Sequence, residues 1–158
     1  MNHRCRVGAA LLAAALALPW CVHAQATVER GSARAAAELL LDVPFVPQSE
    51  ALCGGAALAM VLRFHGDTRV YAEDFATLVV AGGAGIRTTD LTTAARAHGM
   101  HVTPFVAERD VVRALLAERR PVIALIENRR GVYHYIVLLA WADGRVLFHD
   151  PAIGPHQV

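Results

Sequence analysis

The stretch from Leu52 to Gly66 reads LCGGAALAMVLRFHG, and it predicts a helix that begins at Cys53 and ends near His65. Apolar residues recur along it at helical spacing, and the final glycine supplies a stop signal. Cys53 would lie in the first turn, where the helix N-terminus carries roughly +0.5 of an elementary charge and favours a thiolate. The two glycines after Cys53 would let a substrate backbone come close. The alternative is an inert, buried cysteine that packs as a small hydrophobic residue.

Around this helix, the sequence predicts helices first and strands second. Residues 42–47 contain two prolines and must be extended. An antiparallel sheet that follows a helical half indicates an α+β domain. The other predicted elements are a short helix over 71–80, a helix that is capped by Thr88 or Thr89 and ends at Gly99, a weak strand over 101–106, an amphipathic helix over 108–119, strands over 122–126, 133–141 and 145–148, and turns at 128–131 and Asp143-Gly144.

The first 24 residues predict a secretory signal peptide. Arg4 and Arg6 precede an apolar run over 8–18, and small residues suit cleavage after Ala24. As a helix this run would span only about 17 Å, against a hydrocarbon core of roughly 30 Å. An uncleaved membrane anchor is the alternative. We therefore expect an exported protein, either periplasmic or secreted.

Removal of the signal peptide changes the charge and the cysteine count. It takes away two of the 15 basic residues and no acidic residue, so the net charge falls from +1 to about −1. The mature chain, which begins with a spacer over 25–41, has no stripe of basic residues that would bind nucleic acid. It also has no segment that is long and apolar enough to span a membrane. Cys5 and Cys21 leave with the signal peptide, so Cys53 cannot form an internal disulfide. A lone thiol in an oxidising compartment is a liability unless it is used.

The polar candidates for a catalytic site lie near the hairpin formed by the predicted strands over 133–141 and 145–148, and in the loop before the cysteine. His134 begins a β-rich stretch, while His149 and Asp150 end the strand that returns. Gln48 precedes Cys53 by five residues. Each residue also has a purely structural interpretation. The two histidines would be satisfied core residues, Asp150 a turn residue before a proline, and Gln48 an exposed loop residue. A metal site of His134, His149 and Asp150 lacks paired ligand spacing, so no metal or cofactor is implied.

The register of the hairpin decides which side chain shares the His134 face of the sheet. A two-residue loop at Asp143-Gly144 would place His149 on that face, because side chains alternate along a strand. A three-residue loop with Gly144 left-handed in a bulge would shift the pairing by one residue and place Asp150 there. We predict the three-residue loop, with Asp150 within hydrogen-bond reach of His134.

Taken together, these motifs resemble those of the C39 family of cysteine peptidases. The resemblance covers about residues 42–154, and its Gln…Cys-Gly and Asp-Pro-Ala-x-Gly blocks are fairly specific in this order. It implies a papain-like fold, in which a helical half with the cysteine packs against a sheet half with the histidine. The matching segments are DVPFVPQ (42–48), LCGGAALAMVL (52–62), HG (65–66), YHYIVL (133–138) and HDPAIG (149–154).

The resemblance also implies a role for each candidate residue. Cys53 is similar to the family's nucleophile, and His134 to its general base. Asp150 matches the carboxylate that orients the base, and Gln48 matches an oxyanion-hole donor. The implied activity is that of a thiol hydrolase that cleaves a peptide or protein substrate. Two alternatives on the same fold are a non-catalytic peptide-binding module and a thiol transpeptidase or amidase; an inactive module has no need of the thiol.

Two departures from the family pattern bear on this expectation. The chain ends eight residues after Asp150, where members commonly continue, which is consistent with a C-terminal truncation of the predicted peptidase domain over 42–158. The best-known members are peptidase domains of bacteriocin exporters that cut leader peptides after a Gly-Gly pair. This sequence has no transporter or ATPase part and carries an export signal. We therefore expect a stand-alone secreted form with other substrates.

Overall fold

The computed structural model describes residues 40–82 and 85–158. The predicted signal peptide and the spacer up to residue 39 lie outside the described residues. Across the two described ranges, no helix is long and apolar enough to cross a membrane.

Helices occupy the first half of the described chain, and an antiparallel sheet occupies the second. The four strands follow one another in the sheet in chain order, so β1 and β4 are its edges. The predicted α+β order is confirmed. The elements are α1 (Cys53–Phe64), a 3-10 helix (Ala72–Leu78), α2 (Thr88–Ala97), α3 (Arg109–Ala117), β1 (Val122–Arg129), β2 (Val132–Ala142), β3 (Arg145–Asp150) and β4 (Gly154–Gln157).

Helix α1 forms the centre of the core. Its residues from Gly54 to Leu62 are all buried, because it packs against the 3-10 helix on one side and β2 on another. Full burial of a leucine or methionine side chain contributes roughly 1.5–3 kcal/mol, and three such side chains of this helix, Leu58, Met60 and Leu62, are at most 1% exposed. His65 and His98 are the C-caps of α1 and α2.

Several local predictions were wrong in informative ways. Residues 101–106 form no strand, since this exposed segment contains Pro104, which cannot donate to a ladder. Helix α2 begins at Thr88 itself, and its N-cap, Arg87, makes no side-chain cap hydrogen bond. Strand β4 was not predicted, because Gly154 and Pro155 are turn residues in isolation. It exists through pairing with β3, where Asp150 lies opposite Gly154.

The β2–β3 loop also differs from the prediction. Asp143 and Gly144 form a two-residue loop with φ of 51° and 75°, and Ala142 pairs with Arg145. Two successive positive φ values are those of a type I′ turn, which aspartate tolerates and glycine favours. The predicted three-residue loop is therefore wrong.

The one-residue shift in pairing exists, but it lies inside β2. Ala140 pairs with Leu147, whereas Leu138 pairs with Phe148, so the ladder shifts around Leu139. Beyond the shift, Val137 pairs with His149. Continued by one residue, this register places Asp150 opposite Ile136, on the face of the sheet that carries His134.

Candidate active site

His134 and Asp150 form a buried pair at the end of the sheet. His134 Nε2 lies 2.7 Å from Asp150 Oδ1, and the two side chains are 11% and 6% exposed. The same carboxylate oxygen accepts a backbone N–H, which places it as an acceptor, and we therefore assign the imidazole tautomer that donates through Nε2. The second ring nitrogen, Nδ1, is thereby left as the atom that can exchange a proton with a reacting group.

The sequence Asp-Pro-Ala-Ile fixes the orientation of the Asp150 carboxylate. Oδ1 accepts the N–H groups of Ala152 at 2.8 Å and Ile153 at 3.3 Å, and the Asp150 carbonyl accepts the N–H of Ile153 at 3.2 Å. This is a tight turn in which Pro151 presets φ at the second position. The turn therefore directs one lone-pair-bearing oxygen at His134 without help from any distant element.

The loop that carries Gln48 is anchored to the same turn. The Gln48 N–H donates to the Pro151 carbonyl at 3.0 Å. The loop then folds back on itself, since the Leu52 N–H donates to the Ser49 carbonyl at 3.1 Å and Ala51 adopts a left-handed φ of 60°. A left-handed alanine costs roughly 1–2 kcal/mol, so the surrounding contacts must hold it there.

The side chain of Gln48 has an unusual environment. Among the described residues, its Oε1 is the one buried side-chain N or O atom that lacks a hydrogen-bond partner. A buried, unsatisfied amide group costs about 1–3 kcal/mol. The same amide group carries two N–H donors, which are the atoms that an oxyanion requires.

Cys53 is the first residue of α1 and is partly exposed. It opens onto a cleft of about 300 Å³ between the start of α2 and the sheet. Tyr133 and Tyr135, which flank His134 in β2, lie on the sheet side of this cleft. The other residues that line it are Gly85, Ile86, Arg87, Thr88 and Leu125.

Gly54 and Gly55 have a packing role, which differs from the predicted approach of substrate backbone. Both are buried. A Cβ on Gly54 would lie 3.1 Å from Tyr135 Cδ2, and a Cβ on Gly55 would lie 2.7 Å from the carbonyl oxygen of Ala72. At Gly55 the distance leaves no room for a side chain, and at Gly54 the Tyr135 ring would have to move by a few tenths of an ångström. The glycines therefore let the 3-10 helix and β2 approach α1 closely.

His149 serves the fold on the other face of the sheet. It is 1% exposed, its Nε2 donates to the Val43 carbonyl at 2.9 Å, and its Nδ1 accepts the His156 N–H at 3.1 Å. Both nitrogens are used as in a neutral imidazole, and burial lowers the pKa of His149 below its usual value. In the described residues, no group of three metal-ligating side chains comes together.

The structure thus brings some of the predicted site residues into contact and leaves others apart. His134 and Asp150 are hydrogen-bonded, and Gln48 is tied to their turn through its backbone. Within the described part of the chain, no hydrogen bond joins Cys53 to His134. Catalytic hydrogen bonds commonly tighten only with substrate present, so the roles of these residues stay predictions.

Comparison with known proteins gives the family. The sequence matches the Peptidase C39 family over residues 42–158. The chain belongs to this family. Membership of the C39 peptidase family points to peptidase activity. No curated protein matches the sequence.

A solved structure extends the comparison to the fold. It is the crystal structure of a double glycine motif protease from an AMS/PCAT transporter in complex with the leader peptide. The identity is 22% and the TM-score 0.59, with 75% of this chain and 81% of that chain covered. At this identity the likeness establishes the fold, which is papain-like α+β, as predicted.

Two residues of the C39 site region were not singled out in the sequence. Tyr135 is buried next to Cys53, and its hydroxyl lies 2.9 Å from Thr88 Oγ1. The signal for Tyr135 was its place directly after His134, but aromatic residues are ordinary in strands. For Thr88 no local signal distinguished a cleft residue from a helix cap.

Proposed function

We propose that this C39-family protein is a cysteine peptidase in which Cys53 is the nucleophile and His134 the general base. Asp150 orients the imidazole, and the Gln48 side chain donates to the oxyanion together with the backbone N–H of Cys53. The observation that carries the proposal is the buried hydrogen bond from His134 Nε2 to Asp150 Oδ1, which leaves Nδ1 free for proton exchange. A base held by a carboxylate is the second half of a catalytic triad.

The proposed reaction proceeds through a thioester. The Cys53 sulfur attacks the carbonyl carbon of the scissile bond as the thiol proton passes to His134 Nδ1. The tetrahedral oxyanion receives hydrogen bonds from Gln48 and the Cys53 N–H, each worth roughly 2.7–4 kcal/mol of barrier. Collapse breaks the C–N bond, and the imidazolium protonates the leaving amine. Water, deprotonated by His134, then attacks the thioester and releases the acid and the free thiol.

The proposed substrate is a peptide or an extended protein segment. The structurally similar transporter protease was crystallised with a leader peptide, which supports peptide binding on this fold. In this chain the cleft beside Cys53 is open and lined by Leu125 and Tyr133, which are 46% and 62% exposed. Exposed apolar side chains beside a nucleophile suit the side chains of a bound peptide.

We also propose that the protein acts after export. The motivation is the predicted signal peptide over residues 1–24. Expression of the full chain in a bacterial host, followed by N-terminal sequencing of the secreted or periplasmic product, tests this. We expect the new N-terminus at Gln25, and a product that retains Met1 in the cytoplasm would contradict export.

Digestion of a peptide library tests the enzymatic proposal. The wild type, Cys53→Ala and the surface control His98→Gln are compared in parallel, with fold integrity checked by circular dichroism. We expect cleavage by the wild type and the control and none by Cys53→Ala. Peptide binding without cleavage by the wild type would instead identify a binding module, and undiminished cleavage by Cys53→Ala would rule out a thiol mechanism.

A further inference from the structure

Tyr135 connects three elements that meet at the cleft. It follows His134 in β2, and its ring packs on Gly54, which follows Cys53 in α1. Its hydroxyl lies 2.9 Å from Thr88 Oγ1 in the first turn of α2. Tyr135 is only 4% exposed, although it lines the cleft, so its ring is almost completely enclosed by neighbouring groups.

The contact with Gly54 is tight enough to fix a distance. A Cβ built on Gly54 would come within 3.1 and 3.2 Å of two ring carbons of Tyr135, which is tighter than most packing contacts of a Cβ atom. The start of α1 therefore rests directly on the aromatic ring. Because protein interiors are close-packed, a shift of the ring moves the helix start that carries Cys53.

The contact with Thr88 fixes the other end of the ring. Burial raises the pKa of the Tyr135 phenol, with smaller opposing and reinforcing effects from Thr88 and Cys53, so the hydroxyl stays protonated. A protonated phenol can donate to or accept from Thr88 Oγ1. The hydrogen bond therefore prevents the ring from sliding along the α1 surface.

We propose that Tyr135 and Thr88 are positioning residues that set the distance between the helix bearing Cys53 and the strand bearing His134. The inference rests on the proposed Cys–His pair. The two side chains share no hydrogen bond here, so their separation depends on what packs between α1 and β2. The side chain of Tyr135 projects from β2 on the face opposite to His134, so it does not contact His134 directly. It affects His134 by fixing the position of the strand that carries both residues.

Two conservative variants test the pair without disturbing the fold. Tyr135→Phe removes one oxygen and Thr88→Val replaces one hydroxyl by a methyl. We expect each to lower kcat by about three- to tenfold with KM nearly unchanged, as for loss of one hydrogen bond that aligns reacting groups. The double variant should lose no more than either single one. The control is Tyr71→Phe, which makes the same change at an exposed residue outside the site.

A second readout does not require a substrate. The rate at which iodoacetamide alkylates Cys53 near neutral pH reports the thiolate that His134 stabilises. It is followed by mass spectrometry on the peptide that contains Cys53, which separates it from Cys5 and Cys21. We expect Tyr135→Phe to slow alkylation by about three- to tenfold when His134 is present and to have no effect in a His134→Ala background.

The outcomes separate this inference from the proposed function. If the wild type cleaves no peptide, the alkylation series still decides whether Tyr135 positions the Cys–His pair. Equal slowing with and without His134 would mean that Tyr135 acts on the thiol directly and would overturn the inference. Unchanged kcat and an unchanged rate of alkylation in both variants would overturn it as well, whether or not the melting temperature falls.

Discussion

Replacement of Asp150 by asparagine changes a carboxylate oxygen into an amide group without changing the volume of the side chain. In other triads this change can hold the histidine in the wrong tautomer, with a loss of about 10⁴ in kcat. Here the turn prevents that result. Oδ1 faces three donors, namely His134 Nε2 and the N–H groups of Ala152 and Ile153. A flipped amide would point its NH₂ group at all three, so the amide oxygen should stay in place.

The expected loss is therefore small. A hydrogen bond to a charged group contributes about 1.5–3 kcal/mol and a neutral one about 0.5–1.5 kcal/mol, so the change costs roughly 1–1.5 kcal/mol. This corresponds to about a five- to twelvefold decrease in kcat. Asp150→Ala leaves the His134 Nε2–H without an acceptor in a site that is only 11% exposed. We expect a loss of at least about 10² in kcat and of about 1–3 kcal/mol in stability.

Steady-state kinetics on one cleavable peptide, with chemical denaturation of each variant, measures both quantities. The decisive comparison is the ratio of Asp150→Asn to Asp150→Ala activity, which we expect to be ten or more. If asparagine is as damaging as alanine while the fold is intact, the negative charge itself is needed and the argument from the turn fails. If alanine retains nearly full activity, Asp150 takes no part in the reaction.

Three further predictions follow from other contacts. Gln48→Ala should lower kcat by about 10²–10³ with little change in KM, measured by steady-state kinetics; a change in KM alone would make it a binding residue. His149, whose pKa is lowered by burial, should bind a proton more readily in the unfolded chain. Stability should therefore be complete above pH of about 6.5 and fall as the pH drops below it, by up to about 1.4 kcal/mol per pH unit, and denaturation of His149→Gln should show a flatter profile. Gly55→Ala should lower the melting temperature despite its better helix propensity, because the new Cβ meets the Ala72 carbonyl at 2.7 Å; a higher melting temperature would refute the packing argument.

The parts of the fold that follow from local patterns were predictable. Helix α1 has apolar residues at every core-facing position and a glycine stop, so its bounds were predicted within one residue. The position of Cys53 in its first turn follows from those bounds. The first three strands of the sheet were also predicted, because long β-rich runs with turn signals between them have few other interpretations.

The parts of the fold and of the site that depend on contacts between residues far apart in the sequence were not predictable. Strand β4 contains glycine and proline, and only pairing with β3 makes it a strand. The close approach of Tyr135 to Gly54 joins residues about 80 positions apart, and no spacing in the sequence encodes it. The buried, unsatisfied Oε1 of Gln48 likewise appears only when the chain is folded.

The register of β2 and β3 lies between these two cases. Alternation along the strands made two outcomes possible, and they differ only by one residue. With the Ala142–Arg145 pairing continued unchanged, His149 would share the His134 face and Asp150 would point away. The irregularity at Leu139 reverses this, so that Asp150 meets His134 and His149 enters the opposite side of the sheet, where it binds Val43 as a neutral imidazole. The bulge thus separates two adjacent polar residues into a candidate catalytic group and a structural one. Because a bulge costs one ladder position inside the buried part of β2, its presence next to the candidate site is better explained by the placement of Asp150 than by the stability of the sheet.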